Sequence, residues 1–229
     1  MNRVIVLLGF CTAGKSTILR YFRNKYSKNT LCTIDTDEEV AKEYDNHIYN
    51  VYTVFYKEIS KEDGKKNIQD ALDYIEKKEK EILVKLANEC YESKIPYLIA
   101  LGPNTVEREP QWGYFKEVID PICYHLELDK KEVYEGLISR IKKLKSDKNK
   151  ITKSKSFGCW DNGSTMKYEN GKYEPLSEED ALQNIKDIMC KPCEKYRELS
   201  KRTFSATEIK ENSDYKRQLY NSIEEDLFF

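Results

Sequence analysis

A chain of 229 residues is long enough for a sizeable core and suits one α/β domain with an elaboration. Its 39 Lys and Arg against 40 Asp and Glu leave a net charge of -1, which excludes a global attraction to nucleic acid or anionic lipid. No stretch approaches a membrane span, and the N-terminal apolar run is too short for a signal peptide. Seven cysteines, an odd number, point to free thiols in a reducing cytoplasm rather than to a disulfide framework.

In chain order, Val4 to Leu8 form an apolar strand that runs straight into Gly9. Gly9–Ser16 fits G-x-x-x-x-G-K-[ST] at every fixed position, and Ile18, Leu19, Tyr21 and Phe22 then recur at helical spacing. Such a loop turns successive backbone N–H groups inward beside the positive end of a helix, so phosphate oxygens are held there. The expected phosphate contacts are Gly9, Thr12, Ala13, Gly14, Lys15, Ser16 and Thr17, with Lys15 on the β- and γ-phosphates and the Ser16 hydroxyl on Mg²⁺. Leu31–Ile34 read as a second strand ending at Asp35, and Thr36 or Asp37 caps the helix after it. Residues 46–56 lack periodicity. A long helix spans about Asn67 to Tyr91, with Ile68, Leu72, Ile75, Ile82, Leu86 and Ala87 in one stripe.

Ile95–Leu101 is a third strand, closed by Gly102-Pro103-Asn104, and a short helix covers Tyr114–Ile119. Ile122–Leu128 is a fourth strand, and Asp129 with Glu132 makes a capping box for the next helix. From Arg140 to Ser156, eight Lys/Arg stand against one Asp, a local net of +7. Phe157–Pro175 is an excursion with a hairpin around Asn170-Gly171. Ser177 and Asp180 cap a further helix, which Pro192 interrupts, and Arg202–Ala206 is a short fifth strand before a last helix from about Asp214 to Asp226. Strands alternating with helices imply a parallel sheet covered on both faces, with ligands at the strands' carboxyl ends.

That rule directs attention to Asp35-Thr36-Asp37. One carboxylate can orient Mg²⁺ and the other can position and deprotonate an attacking hydroxyl, while helix capping is the competing use of the same residues. The third strand lacks the acid that many nucleotide hydrolases place at its end, which argues against an ATPase motor or a GTPase. Asn149-Lys150 is followed by Ile151-Thr152, not by a guanine-reading pattern, so ATP is the expected nucleotide. The basic stretch 140–156 suits a lid closing over the triphosphate, a solvated helix end, or a nucleic-acid patch. Cys190-Lys191-Pro192-Cys193 has the spacing of a zinc or redox half-site, but without a second pair it reads as two buried thiols at a helix break. His125, inside an apolar strand, reads as a core histidine.

Gly9–Ser16, Ile34–Glu39 (IDTDEE), the glycine turn after the third strand and the basic segment together resemble shikimate kinase, within the nucleoside-monophosphate-kinase-like P-loop group. Lys191-Pro192 through Tyr196-Arg197, before the strand near Phe204, is similar to that family's Arg-x-Pro-Leu-Tyr region. The resemblance implies a three-layer α/β/α P-loop fold over residues 1–229, with a five-stranded parallel sheet in order 2-3-1-4-5. It also implies a helical substrate-binding region at about 45–93 and an enlarged lid at about 140–176. ATP and Mg²⁺ follow, with Asp35 supporting the metal, Asp37 on the substrate hydroxyl, Arg140 closing the site, and Gly102 and Lys191 facing the substrate. The departures concern the substrate pocket: Leu101-Gly102-Pro103 stands for the family's triple glycine, and Leu72-Asp73-Tyr74 where a carboxylate-binding arginine falls. The expectation is ATP-dependent phosphorylation of a small hydroxylated molecule other than shikimate. The alternatives are an ATP-binding regulatory or partner-binding module with little turnover, and a nucleotide or nucleic-acid-end kinase.

Overall fold

The computed structural model describes residues 3–44, 64–146, 166–169 and 172–229. Its elements, in order, are β1 (Val4–Leu8), α1 (Lys15–Lys25), β2 (Cys32–Asp35), α2 (Thr36–Val40), α3 (Gly64–Glu92), β3 (Tyr97–Ala100), α4 (Gln111–Ile119), β4 (Ile122–Glu127), α5 (Lys130–Ser146), the hairpin β5 (Met166–Glu169) and β6 (Lys172–Pro175), α6 (Glu178–Leu199), β7 (Arg202–Ser205), α7 (Ala206–Glu211) and α8 (Ser213–Phe228). The main sheet runs β2-β3-β1-β4-β7, all parallel, which is the expected 2-3-1-4-5 order when only its own strands are counted. Register places Leu7 opposite Ala100 and Leu8 opposite His125, with Asp35 opposite Ala100. The carboxyl ends of β1 to β4 therefore open at one edge.

Five consecutive apolar residues make β1 the buried centre, and alternation divides them between two cores. Ile5 and Leu7 pack with Phe22, Leu98, Tyr124, Leu126, Leu219 and Ile223, the layer of α1, α5 and α8. Val4, Val6 and Leu8 pack with Leu83, Leu86, Ile99, Leu101, Trp112 and Phe115, the layer of α3 and α4. At nine residues α4 is shorter than a helix that holds alone in water, so its fully buried Trp112 and Phe115 anchor it. These two layers around the sheet form the three-layer α/β/α architecture. No helix among the described residues is long and apolar enough to cross a membrane.

Several local readings meet their physical cause. Asp129 and Glu132 form the reciprocal capping box at 2.6 and 2.8 Å, and Ser177 caps α6 by accepting from the Asp180 N–H. The hairpin register pairs Glu169 with Lys172. Three expectations need correction. Asp35, not Thr36 or Asp37, caps α2, because the Thr36 hydroxyl is taken by the Gly102 N–H at 2.8 Å. Pro192 does not interrupt α6: Ala181, Ile185 and Met189 on one side and Tyr196 on the other are buried, and their packing outweighs one lost backbone bond. Cys190 and Cys193 lie on that unbroken helix, and Cys190 is exposed. The expected irregular stretch 46–56 lies outside the described residues, as do 157–165 of the insert.

The last helix is fastened to the sheet through Tyr124, whose hydroxyl stands 2.7 Å from Asp226 Oδ2 and 3.0 Å from the Ser222 carbonyl. Tyr21 and Tyr220 stack at 4.1 Å between α1 and α8. Removing the hydroxyl with Tyr124→Phe leaves the ring packing intact and takes one hydrogen bond from the Asp226 carboxylate, which keeps Lys201 at 3.2 Å. We expect a loss of about 1.5–3 kcal/mol, the range for a hydrogen bond to a charged group, read as a lower urea midpoint at unchanged slope.

Candidate functional site

The loop 9–14 depends on backbone shapes that few residues adopt. Gly9 has φ +147°, and a Cβ there would lie 2.7 Å from the Leu126 carbonyl oxygen. Gly14, at φ +92°, precedes α1 directly. Thr12 takes φ +74° although it is β-branched, a strained choice held by the surrounding packing. Its buried Oγ1 has no hydrogen-bond partner, and Gly136 on α5 makes room for it, since a Cβ there would stand 2.7 Å away. The buried Lys15 ammonium donates to the Gly9 carbonyl and to the Phe10 carbonyl at 3.2 Å, which holds it over the loop. In the first turn of α1 the Thr17 N–H turns back to the Gly14 carbonyl at 2.9 Å, and Ile18 shares that acceptor at 3.1 Å.

Asp35 ends β2 and is only 7% exposed. Its Oδ2 accepts from the Ser16 hydroxyl at 2.6 Å, and its Oδ1 accepts from the Asp37 N–H at 3.1 Å. One carboxylate thus joins the loop helix to the start of α2. Asp37 points the other way, toward the end of β3: its Oδ1 is 2.6 Å from where a Cβ on Gly102 would sit. Two acids one residue apart therefore serve two different places.

Around Gly102 lies a group that sequence reading passed over. Glu79 of α3 is 3% exposed, its Oε1 accepting from the Thr105 hydroxyl at 2.7 Å and its Oε2 from Arg108 Nε at 2.6 Å. Arg108 also reaches Glu76 Oε2 at 3.3 Å, and Glu76 holds Lys80 at 2.6 Å. The Tyr196 hydroxyl of α6 donates to the Pro103 carbonyl, and its ring lies 5.4 Å from the imidazole of His125. His125 is a core histidine as expected; burial pulls its pKa down from 6.5 to about 4, and its Nδ1 has no hydrogen-bond partner. A legible signal for Glu79 exists: it falls four residues after Ile75 and four before Leu83, on the buried stripe of α3.

Of the residues singled out from sequence, Gly9 to Thr17, Asp35, Asp37 and Gly102 meet at one edge of the sheet. Lys191 is exposed on α6, and the α6 side chains that reach the loop after β3 are Tyr196 and Lys195, the latter 3.4 Å from Glu109. Arg140 belongs to α5, but its side chain lies outside the described residues, and so do residues 147–156 of the basic stretch. Among the described residues no group of three or more His, Cys, Asp or Glu is placed to hold a metal ion.

No family model and no curated protein matches this sequence. Solved structures do. A shikimate kinase from Acinetobacter baumannii, determined in complex with shikimate, superposes with a TM-score of 0.53 at 16% identity, over 97% of this chain and 91% of that one. The three-layer α/β/α fold is shared. At that identity the likeness extends to architecture, and the pocket must be argued from its own residues.

Two expectations follow. In Gly102→Ala the new methyl would lie 2.6 Å from Asp37 Oδ1 and 2.9 Å from Glu79 Oε1, so stability should fall by about 1–3 kcal/mol in denaturant titration. No loss would show that the Asp37 carboxylate swings freely. For His125 the folded pKa lies below the unfolded one, so the unfolded chain takes up a proton that the folded chain refuses. Stability is then full above pH 6.5 and declines as pH falls toward about 4, by on the order of 2 kcal/mol. His125→Leu should flatten that part of the stability–pH curve.

Proposed function

We propose that this protein transfers the γ-phosphoryl group of ATP to a hydroxyl of a small molecule other than shikimate. The observation that carries the reading is the divergence of the two aspartates, Asp35 toward Ser16 and Asp37 toward Gly102. A hydrolase needs one such acid to serve metal and water, whereas a kinase needs a second one at an acceptor.

The donor set fits Mg²⁺. Ser16 Oγ and Asp35 Oδ2 are 2.6 Å apart and offer only oxygen, and this ion is commonly held by one or two protein oxygens together with phosphates and water. When bound, Mg²⁺ neutralises charge across the β- and γ-phosphate oxygens. The protein groups do the remainder. Residues 9–14 and the α1 N-terminus bind the phosphates through backbone N–H groups. Lys15, held at the loop, answers the charge that moves onto the β–γ bridging oxygen as its bond to phosphorus breaks. Asp37 orients the acceptor hydroxyl and takes its proton as the new oxygen–phosphorus bond forms, and ADP leaves. Arg140 and the lysines after it are assigned to closing over the triphosphate. Residues 45–93 are assigned to acceptor binding and 140–176 to the lid, within one domain.

Asp37→Asn keeps the side chain's size and its place on α2 while removing the base. Transfer should fall by about 10²–10⁴-fold with ATP affinity within about twofold of the parent, measured by ADP release and calorimetry. Turnover that survives the substitution would end the role given to Asp37.

A further inference from the structure

We infer that the acceptor is a donor-rich alcohol without negative charge, a polyol or an amino alcohol, and that Glu79 sets this preference by engaging Arg108. The inference rests on the kinase reading above and specifies its acceptor.

The end of β3 is where an anionic acceptor would seek hydrogen-bond donors, and among the described residues the donors nearest Asp37 are already committed. The Gly102 N–H is bonded to Thr36 Oγ1 at 2.8 Å, and Pro103 has no N–H to offer. The Thr105 hydroxyl is given to Glu79 Oε1 at 2.7 Å. Among the described residues Arg108 is the cation that the loop after β3 brings close, and it lies between two carboxylates, Glu79 at 2.6 Å and Glu76 at 3.3 Å. Lys80 of α3 is held by Glu76 at 2.6 Å. Neither side chain is poised as the fork that grips a carboxylate.

What converges instead is oxygen. Asp37 Oδ1 and Glu79 Oε1 both lie within 3.0 Å of the single point where a Gly102 side chain would begin. Thr105 Oγ1 lies 3.0 Å from it. Glu79 is built into this place rather than draped over it: its side chain is 4% exposed and both its oxygens are hydrogen-bonded. An acceptor carrying hydroxyl or ammonium donors meets oxygens that can receive them. One carrying a carboxylate meets the Asp37 carboxylate while the nearby Arg108 is engaged by Glu79 and Glu76, which should lower its kcat/KM by at least about tenfold. Glu79 acts as a positioning residue, since it works through Arg108 and through the local field.

The test uses the full chain with saturating MgATP and matched acceptor pairs: shikimate and its methyl ester, glycerate and glycerol, serine and ethanolamine. Phosphorylated product is read by phosphorus NMR and ADP by a coupled assay. The uncharged or cationic member of a pair should be preferred by at least about tenfold in kcat/KM. A preference for the acids would overturn the inference while leaving the kinase reading intact. No transfer to any member, with ATP shown to bind, would overturn both. Glu79→Gln, once its melting curve shows a folded protein, should release Arg108 and move the acid-to-neutral ratio toward the acids by about tenfold. An unchanged ratio would remove Glu79 from the explanation. The parent protein's own pairs decide the acceptor class whether or not that variant folds.

Discussion

The Asp35 carboxylate is the interaction on which the site's geometry hangs. It ends an edge strand, and its two oxygens are used in different directions, one on the Ser16 hydroxyl and one on the Asp37 N–H. The first bond ties the loop helix α1 to β2. The second caps α2 with a charged acceptor, an arrangement worth about 1 kcal/mol and favoured by the helix dipole. Capping is thus not an alternative to chemistry here. The cap sets the first turn of α2, and that turn sends Asp37 toward β3. Thr36 completes the join by receiving the Gly102 N–H, so three consecutive residues hold a loop, a helix and a strand end together.

The sheet makes this possible by being buried on both faces. Its central strand has no exposed residue, so strand ends are held in fixed register, and Asp35 and Gly102 come together at their carboxyl edge. Several polar groups that go deeper are answered. Glu79 has Arg108 and Thr105, and Tyr124 has Asp226, which keeps the cost of burying them tolerable. Thr12 Oγ1, Trp112 Nε1 and His125 Nδ1 are contrary cases, the last on an imidazole kept neutral by burial beside the ring of Tyr196.

Much of this was legible before any coordinates. An apolar run before Gly9 and helical spacing after Ser16 are local signals, and five strands alternating with helices admit few topologies. Local capping chemistry was legible for Asp129 with Glu132 and for Ser177 with Asp180, where both partners lie within one turn. The misreadings arose where a distant group competes. Thr36 looks like a cap until Gly102, 66 residues away, claims its hydroxyl. Pro192 looks like a break until packing on both sides of it is counted. Arg108 reads as a loop residue because its partner Glu79 sits on another element, 29 residues earlier. The pocket was hidden for one reason: its parts come from α2, α3 and the loop after β3, and no spacing along the chain announces their meeting.

The Glu79–Arg108 pair also constrains how the protein can change. Removing one member of a buried ion pair leaves a charge without its counterpart and costs about 3–5 kcal/mol, whereas exchanging both for apolar residues of similar volume can be neutral. Positions 79 and 108 are therefore epistatic, and either single replacement passes through a destabilised intermediate. Among descendants of a common ancestor these two sites should covary, and a lineage that adopted a differently charged acceptor would carry its mark as a paired exchange there.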